Sequence, residues 1–412
     1  MISVLRTTWP LLTGLLLLMI GNGLQGTLLG IRGKIEGFTT LEISMVMSAY
    51  FVGFLLASKL VPMMLRSVGH VRVFSALGSF ISAVLILFPV VTEPWAWIVL
   101  RAIIGFCFCG VYVTVESWLN SAATNQTRGQ AMSLYLVVQM VGIVTAQGLL
   151  NVADPAGFVL FIIPSVLVSI SFAPILLWPS PAPTFETTKP MNIPGLFRTS
   201  PLGCVGMFLL GGIFACSFGM SAVFGAEAGY SVRQISLYVA VIYLGGMLCQ
   251  FPIGYISDKM DRRLLILIVS VVGAVAMIPG YFFAEVFWVV LVLGFLLGGM
   301  SNPLYGLLVA YTNDFLETSD MAAASAGLLF INGMGAIAGP LIVGWLMGRI
   351  GPEGYFVFLA ALMLAIAAYA LWRMSRRIVI WRRQAAGERA SYVVTAPMAA
   401  QFPMEPARDV VK

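Results

Sequence analysis

The sequence predicts an all-α membrane protein: twelve transmembrane helices arranged as two pseudo-symmetric six-helix halves. Three observations carry this prediction. Of 412 residues, 60% are hydrophobic and only 10% charged, with a mean hydropathy of +0.97, whereas soluble chains carry about 25% charged residues. At roughly 20 apolar residues per crossing the length accommodates about twelve spans, and no alternating segments of about ten residues point to a barrel. The third observation is an internal repeat, set out below. The net charge of +6 is sorted loop by loop rather than clustered on one face, so it reports topology and not a nucleic-acid partner.

The first run, 9 to 31, follows Arg6 and lacks a small-residue cleavage site, so it reads as a retained helix starting on the cytoplasmic side. Runs at 42 to 62, 71 to 91, 95 to 118, 129 to 151 and 157 to 178 complete a first set of six. Residues 179 to 199, with five prolines plus Lys189 and Arg198, break the apolar texture and read as a cytoplasmic linker without helical pattern between an N-terminal half, 1 to 178, and a C-terminal half, 200 to 373. The second set follows at 200 to 224, 233 to 256, 264 to 284, 286 to 312, 321 to 348 and 354 to 373. The tail, 374 to 412, sets Arg376, Arg377, Arg382 and Arg383 around Ile378 to Trp381, a composition suited to the cytoplasmic headgroups, and reads as disordered beyond about 390.

Loop charges orient this topology. With both termini inside, cytoplasmic segments hold Arg6, Arg66, Arg72, Arg128, Lys189, Arg198, Lys259, Arg262, Arg263 and the basic tail, and external loops hold only Arg32, Lys34, Arg233 and Arg349. That is the positive-inside bias of an inner-membrane protein. The five cysteines fall in apolar runs and are odd in number, so no disulfide framework is implied. Cys107 and Cys109 point about 200° apart on a helix, and the one histidine, His70, reads as a loop residue, so neither a metal nor another cofactor is expected.

The halves align at a shift of 192 residues. Gly69 falls on Asp261, Ser133 on Ser325, and Gln147-Gly148 on Gly339-Pro340. A parallel repeat of this kind packs two halves around a central pathway.

The stretch Gly-Tyr-Ile-Ser-Asp-Lys-Met-Asp-Arg-Arg-Leu-Leu, from Gly254 to Leu265, resembles the Gly-x-x-x-Asp-Arg-x-Gly-Arg-Arg loop of the major facilitator superfamily of secondary transporters, where it joins the second and third helices of a half on the cytoplasmic side. Its chemistry suits a gate. Gly254 permits close helix approach, Asp258 suits a helix N-terminus, and Lys259, Arg262 and Arg263 hold the loop inside. Arg101-Ala-Ile-Ile-Gly105 resembles the superfamily's Arg-x-x-x-Gly element. Gly-His-Val-Arg-Val-Phe at 69 to 74, Val-Glu-Ser-Trp-Leu-Asn at 115 to 120 and Gln-Phe-Pro-Ile-Gly-Tyr-Ile-Ser-Asp-Lys at 250 to 259 look like the YcaD-like branch of bacterial transporters. The resemblance covers nearly the whole chain and implies the major facilitator fold. Two departures stand out: Arg66 occupies a position usually held by Asp, and the Gly-Pro ending that marks the fifth helix of many drug/proton antiporters is found instead in the eleventh, at Gly339-Pro340.

The repeat pairs Asp258 with Arg66 and Arg128 with Asp320, with charge inverted in both cases. In the family fold each such loop lies against the start of the fifth or eleventh helix of the opposite half, which implies Asp258 near Arg128 and Arg66 near Asp320. These pairs either latch the cytoplasmic ends when the cavity faces outward, or are ordinary solvated loop charges, each worth about 0 to 1 kcal/mol.

Arg101 is a charge within a span, a costly and usually functional feature. It is read either as a coupling or substrate-contact residue or, following Trp95 and Trp97, as snorkelling to the outer headgroups. Glu116 lies fifteen residues on, about 22 Å along a helix and rotated by about 60°, so the two cannot pair directly. Some relatives, sugar porters among them, bind the loop arginines with a glutamate at this end of the helix. That implies a gating role against Arg66 or Arg72, with a proton-carrying role and a plain solvated helix end as the other readings.

Asn22 and Gln25 share one face of the first helix, and Tyr112, Gln139, Ser217, Asn302, Tyr305 and Asn332 are polar residues at mid-depth. They are candidates to line a substrate cavity, or else to make interhelical hydrogen bonds. So few charges near the midplane favour a small neutral or amphipathic solute over a polyanion. The sequence therefore reads as a secondary transporter working by alternating access as a monomer in the bilayer, coupled to protons, with efflux among the directions open to it. It contains no P-loop for ATP hydrolysis, and no nucleophile, base and orienter that would make an enzyme. A transporter-like membrane sensor that binds its solute without moving it is the other reading.

Overall fold

The computed structural model describes residues 2–122, 128–177 and 193–376. Among these residues twelve helices are long and apolar enough to cross a membrane. They are α1 (Ile2–Ile35), α2 (Thr40–Val68), α3 (His70–Leu87), α4 (Pro94–Ala122), α5 (Arg128–Leu149) and α6, which runs as Val159–Ser171 and, after a break at Phe172, as Ala173–Leu176. The second set begins with α7, which starts as Pro201–Ala215, widens into a π turn over Cys216–Met220 and continues as Ser221–Glu227. It goes on through α8 (Val232–Ser257), α9 (Arg262–Met277, continued by the turn Pro279–Phe282), α10 (Phe287–Asn313), α11 (Thr318–Ile350) and α12 (Gly354–Arg376).

Three departures from the sequence reading bear on the site and the linker. The apolar run of the second helix stops near 62, but α2 continues through Pro62 to Val68, where Gly69 ends it at φ +83. That is a backbone state open chiefly to glycine. His70 is therefore not a loop residue: it opens α3, is fully buried, and lies 3.0 Å from the Ser117 hydroxyl. In the proline-rich segment, Ile193–Thr199 forms a short helix. The rest of the linker, 178–192, and the tail beyond Arg376 lie outside the described residues.

Local chemistry repeats between the halves. Thr39 caps α2 in a capping box with Glu42, and 192 residues later Ser231 caps α8 in the same box with Gln234. Each box satisfies otherwise orphaned helix N–H groups reciprocally. The helix crossings repeat as well. A side chain at Gly53 would fall on the carbonyl of Ala102, and one at Gly105 on that of Tyr50. In the second half Gly245 meets Phe295 and Gly298 meets Ile242 in the same way. Such glycine contacts let helices approach through their backbones, the usual solution where lipid gives no hydrophobic drive to association.

These contacts correct the register of the repeat. Tyr50 and Gly53 map to Ile242 and Gly245 at 192, whereas Ala102 and Gly105 map to Phe295 and Gly298 at 193. The offset persists in the next helix: Gly142 packs on Leu16 and Met19, and Gly335 on Phe208. The second half thus holds one extra residue before α10. Arg128 with Asp320, Ser133 with Ser325, and Gln147-Gly148 with Gly339-Pro340 are each one residue out of structural equivalence.

The halves meet at the end of the bundle far from the N-terminus of α1. There Lys34 reaches Glu227 at 2.7 Å, Thr40 donates to the same carboxylate at 3.2 Å, and Asn151 donates to Ser236 at 3.0 Å. A little deeper, Ser48 donates to the carbonyl of Ile337 at 2.6 Å. Toward the near end, Leu55 packs on Gly333 and Lys59 lies 5.0 Å above the Phe330 ring.

Candidate functional site: a polar cavity between the halves

Helices α1, α2, α4 and α5, with the π turn of α7 and the middle of α8, enclose a cavity at mid-depth. Its polar wall comes from the first half. Asn22 of α1 donates to the Tyr112 hydroxyl of α4 at 2.9 Å and accepts from Gln25 at 3.1 Å. The Gln25 carbonyl in turn accepts from Nη1 of Arg101. Arg101 is buried, its guanidinium 4.7 Å above the Tyr50 ring and its Nη2 3.9 Å from the sulfur of Met47. The snorkelling alternative for this residue is thereby overturned. Trp97, one helical turn before Arg101, is buried too and donates to the carbonyls of Phe88 and Val91, so this face of α4 points inward; Trp95 is the exposed one.

A second polar chain leaves the same cavity. Gln139, which lines it, donates to the Tyr135 hydroxyl at 2.9 Å, and Tyr135 donates to Glu116 at 2.7 Å. Glu116 is fully buried. The expected contact with Arg66 or Arg72 does not form here, since both arginines are exposed and neither bonds to it. Arg66 and Asp320, both exposed, form no ion pair in this structure. The other expected pair, Asp258 with Arg128, involves a side chain outside the described residues.

The loop from Gly254 folds onto its own half. Arg262 is buried and pairs with Asp314 at the end of α10, and exposed Asp258 lies 3.6 Å from it. Arg263 sits 5.9 Å above the Tyr311 ring, Asp261 caps α9 by accepting from the Arg263 N–H at 2.8 Å, and Lys259 bonds to the Tyr255 hydroxyl. Sequence reasoning missed Asp314, although a carboxylate at the end of an apolar run facing an arginine-rich loop is a visible signal.

Of the eight cavity candidates, Asn22, Tyr112 and Gln139 line the cavity and Gln25 stands just behind it. The four from the second half pack elsewhere. Ser217 donates to the carbonyl of Ile213 at 2.7 Å and Asn332 to that of Met207 at 3.0 Å. Tyr305 stacks on Phe214, and the buried Asn302 lies against Gly246. The second half instead contributes Phe218 and Tyr243, whose rings are 4.6 Å apart. These two were missed, because an aromatic in an apolar run carries no mark of the side it faces.

Twelve crossing helices in two equivalent halves around a polar cavity define a membrane transporter. A family model described as Major Facilitator Superfamily matches residues 202–406, and one described as sugar (and other) transporter matches residues 9–185. The chain belongs to the major facilitator superfamily. It is similar to the uncharacterized MFS-type transporter YcaD of Escherichia fergusonii, with 25% identity over 363 residues, 86% of this chain and 93% of that one. The YcaD protein of Escherichia coli O17:K52:H18 is 26% identical over the same coverage. Among solved structures, the nucleoside transporter NupG superposes with a TM-score of 0.73 at 14% identity, covering 89% of this chain and 99% of that one. A bacterial homologue of the human lysosomal transporter Spinster, in an inward-facing and unoccupied conformation, gives a TM-score of 0.68 at 14% identity over 89% of this chain and 95% of that one. At such identities the likeness is one of fold.

Proposed function

We propose that the protein is a secondary transporter that carries a small amphipathic solute across the bacterial inner membrane by alternating access, coupled to protons, as a monomer with both termini in the cytoplasm. The observation that carries this reading is the cavity itself: a polar wall from the first half, rings from the second, and contacts between the halves at the far end. With the termini inside, that far end would be external, and the contacts there support reading this conformation as one closed to the outside. Opening it requires breaking the exposed Lys34–Glu227 pair, worth about 0 to 1 kcal/mol, and the part-buried Asn151–Ser236 hydrogen bond, worth about 1 kcal/mol.

For coupling, the chain Gln139 to Tyr135 to Glu116 joins the cavity to a buried carboxyl group. An ionisable residue within a span is a natural proton site, and here the Tyr135 hydroxyl relays the protonation state of Glu116 to the Gln139 amide at the cavity wall. Arg66 with Asp320 and Asp258 with Arg128 would then meet only when the cytoplasmic ends close. Charge reversal at Arg66 or Asp320 should impair flux and the double swap restore it; a double variant no better than the singles eliminates that latch.

Flux into liposomes tests the whole reading. Solute uptake or release driven by an imposed pH gradient, lost in Glu116→Gln while solute exchange without a gradient persists, is the expected result. Binding without any flux would make the protein a membrane sensor instead.

A further inference from the structure

Arg101 is the one charged side chain in the wall of the cavity, and its surroundings leave its charge uncompensated. A guanidinium offers five N–H donors. Nη1 is taken by the Gln25 carbonyl, a neutral dipole held in place by Asn22, which is itself fixed by Tyr112. The flat face rests on Tyr50. The remaining edge carries Nε, which is buried and makes no hydrogen bond, and Nη2, whose contact is the Met47 sulfur at 3.9 Å. None of the residues lining the cavity is Asp or Glu, and Glu116 is about 22 Å away along α4.

Burying a charge without a partner is expensive, and proteins ordinarily supply a counter-charge. Here the wall supplies only dipoles, which orient the guanidinium without neutralising it. The Nε and Nη2 edge is the one whose two parallel N–H groups match a carboxylate bidentately. Met47 lies against that edge on a flexible, unbranched side chain with three rotatable bonds, so it can swing aside. Around it stand Tyr50, Phe51, Phe218 and Tyr243. One positive charge and a wall that includes these four rings together define the ligand.

We propose that the cavity binds an amphipathic organic monoanion, a carboxylate with an apolar or aromatic body, whose carboxylate engages the Nε and Nη2 edge of Arg101. This deepens the transport reading and rests on the same cavity being the substrate site. It narrows the solute from neutral or amphipathic to singly anionic, and leaves polyanions excluded because there is no second cation in the wall.

The test uses full-length protein purified in detergent and four probes: 3-phenylpropionate, indole-3-acetate, and the uncharged primary amide of each. The acids should raise the thermal unfolding midpoint of the wild type and the amides should not. Losing a hydrogen-bonded charge should weaken acid binding about 10- to 100-fold in Arg101→Gln, with partial retention in Arg101→Lys, which keeps the charge without the fork. Without ligand, Arg101→Gln should unfold at or above the wild-type midpoint, because it removes an uncompensated buried charge; a lower midpoint would mark Arg101 as a structural residue and overturn the proposal. Amides that bind as well as the acids, acids that bind Arg101→Gln undiminished, or acids that leave the wild type unmoved would each overturn it too. Flux in liposomes separates this from the transport reading. An acid that binds through Arg101 but does not cross leaves the anion site standing and removes the transporter, whereas a neutral solute carried equally by Arg101→Gln does the reverse.

Discussion

The two halves share a backbone frame and differ in what they hang on it. Asn22 and Tyr112 hydrogen-bond across α1 and α4, while their equivalents Phe214 and Tyr305 stack as rings across α7 and α10. Arg101 corresponds to Gly294, Gln25 to Ser217, Glu116 to Val309, Tyr135 to Leu328 and Gln139 to Asn332. The arginine of the cavity wall and the carboxyl group of its relay are thus both in the first half. The near ends differ as well. Arg262 pairs with Asp314 in the second half, and its equivalent in the first is His70, whose ring nitrogen lies 3.0 Å from the Ser117 hydroxyl. The first half carries the chemistry at mid-depth, and the second carries the charged clamp that ties a loop to a helix end. Duplication fixed the crossings through backbone contacts, and the side chains were free to specialise.

Breaking contacts at the same place in each half sharpens this contrast. The largest difference is expected at the clamp: Asp314→Ala removes the nearer of two carboxylates on buried Arg262 and leaves exposed Asp258 at 3.6 Å, and should cost about 3 kcal/mol, against about 1 kcal/mol for Ser117→Ala, both read as thermal midpoints in detergent. Next are the shared crossings. Gly53→Leu and Gly245→Leu each drive a side chain into a backbone carbonyl and should destabilise by about 3 kcal/mol. Here the halves should respond alike; a tolerant Gly245 would show that the crossings are not equivalent. At mid-depth Tyr112→Phe should lose about 1 kcal/mol of solute binding by removing the Asn22 acceptor, while Tyr305→Phe leaves binding unchanged, as isothermal titration would show. Smallest is Lys34→Ala, whose exposed pair with Glu227 should change the midpoint by less than about 1 kcal/mol.

Much of the fold was legible because bilayer physics writes it into composition. The spans and the repeat register up to the third helix of each half follow from apolar runs and from Gly69 falling on Asp261. The extra residue before α10 was not legible, because apolar helices have interchangeable residues and only the glycine contacts reveal which carbonyl each helix meets. The polar face of α1 could be read from Asn22 and Gln25 spaced one turn apart. The inward turn of Arg101 could not, since Trp95 and Trp97 gave equal grounds for a lipid-facing helix and only the burial of Trp97 decides the face. The second-half candidates followed from assumed symmetry, and they failed to line the cavity where specialisation broke it: Tyr305 and Asn332 kept polar atoms but serve packing.

The most direct test of the division between halves is solute flux in liposomes for a mirrored pair, Asn22→Ala and Phe214→Ala, measured with whichever of 3-phenylpropionate and indole-3-acetate gives the larger thermal shift and normalised to folded protein. The account predicts that Asn22→Ala loses most of the flux while Phe214→Ala keeps it within a few fold of wild type. Equal loss in both, or a wild type that carries neither acid, would contradict it.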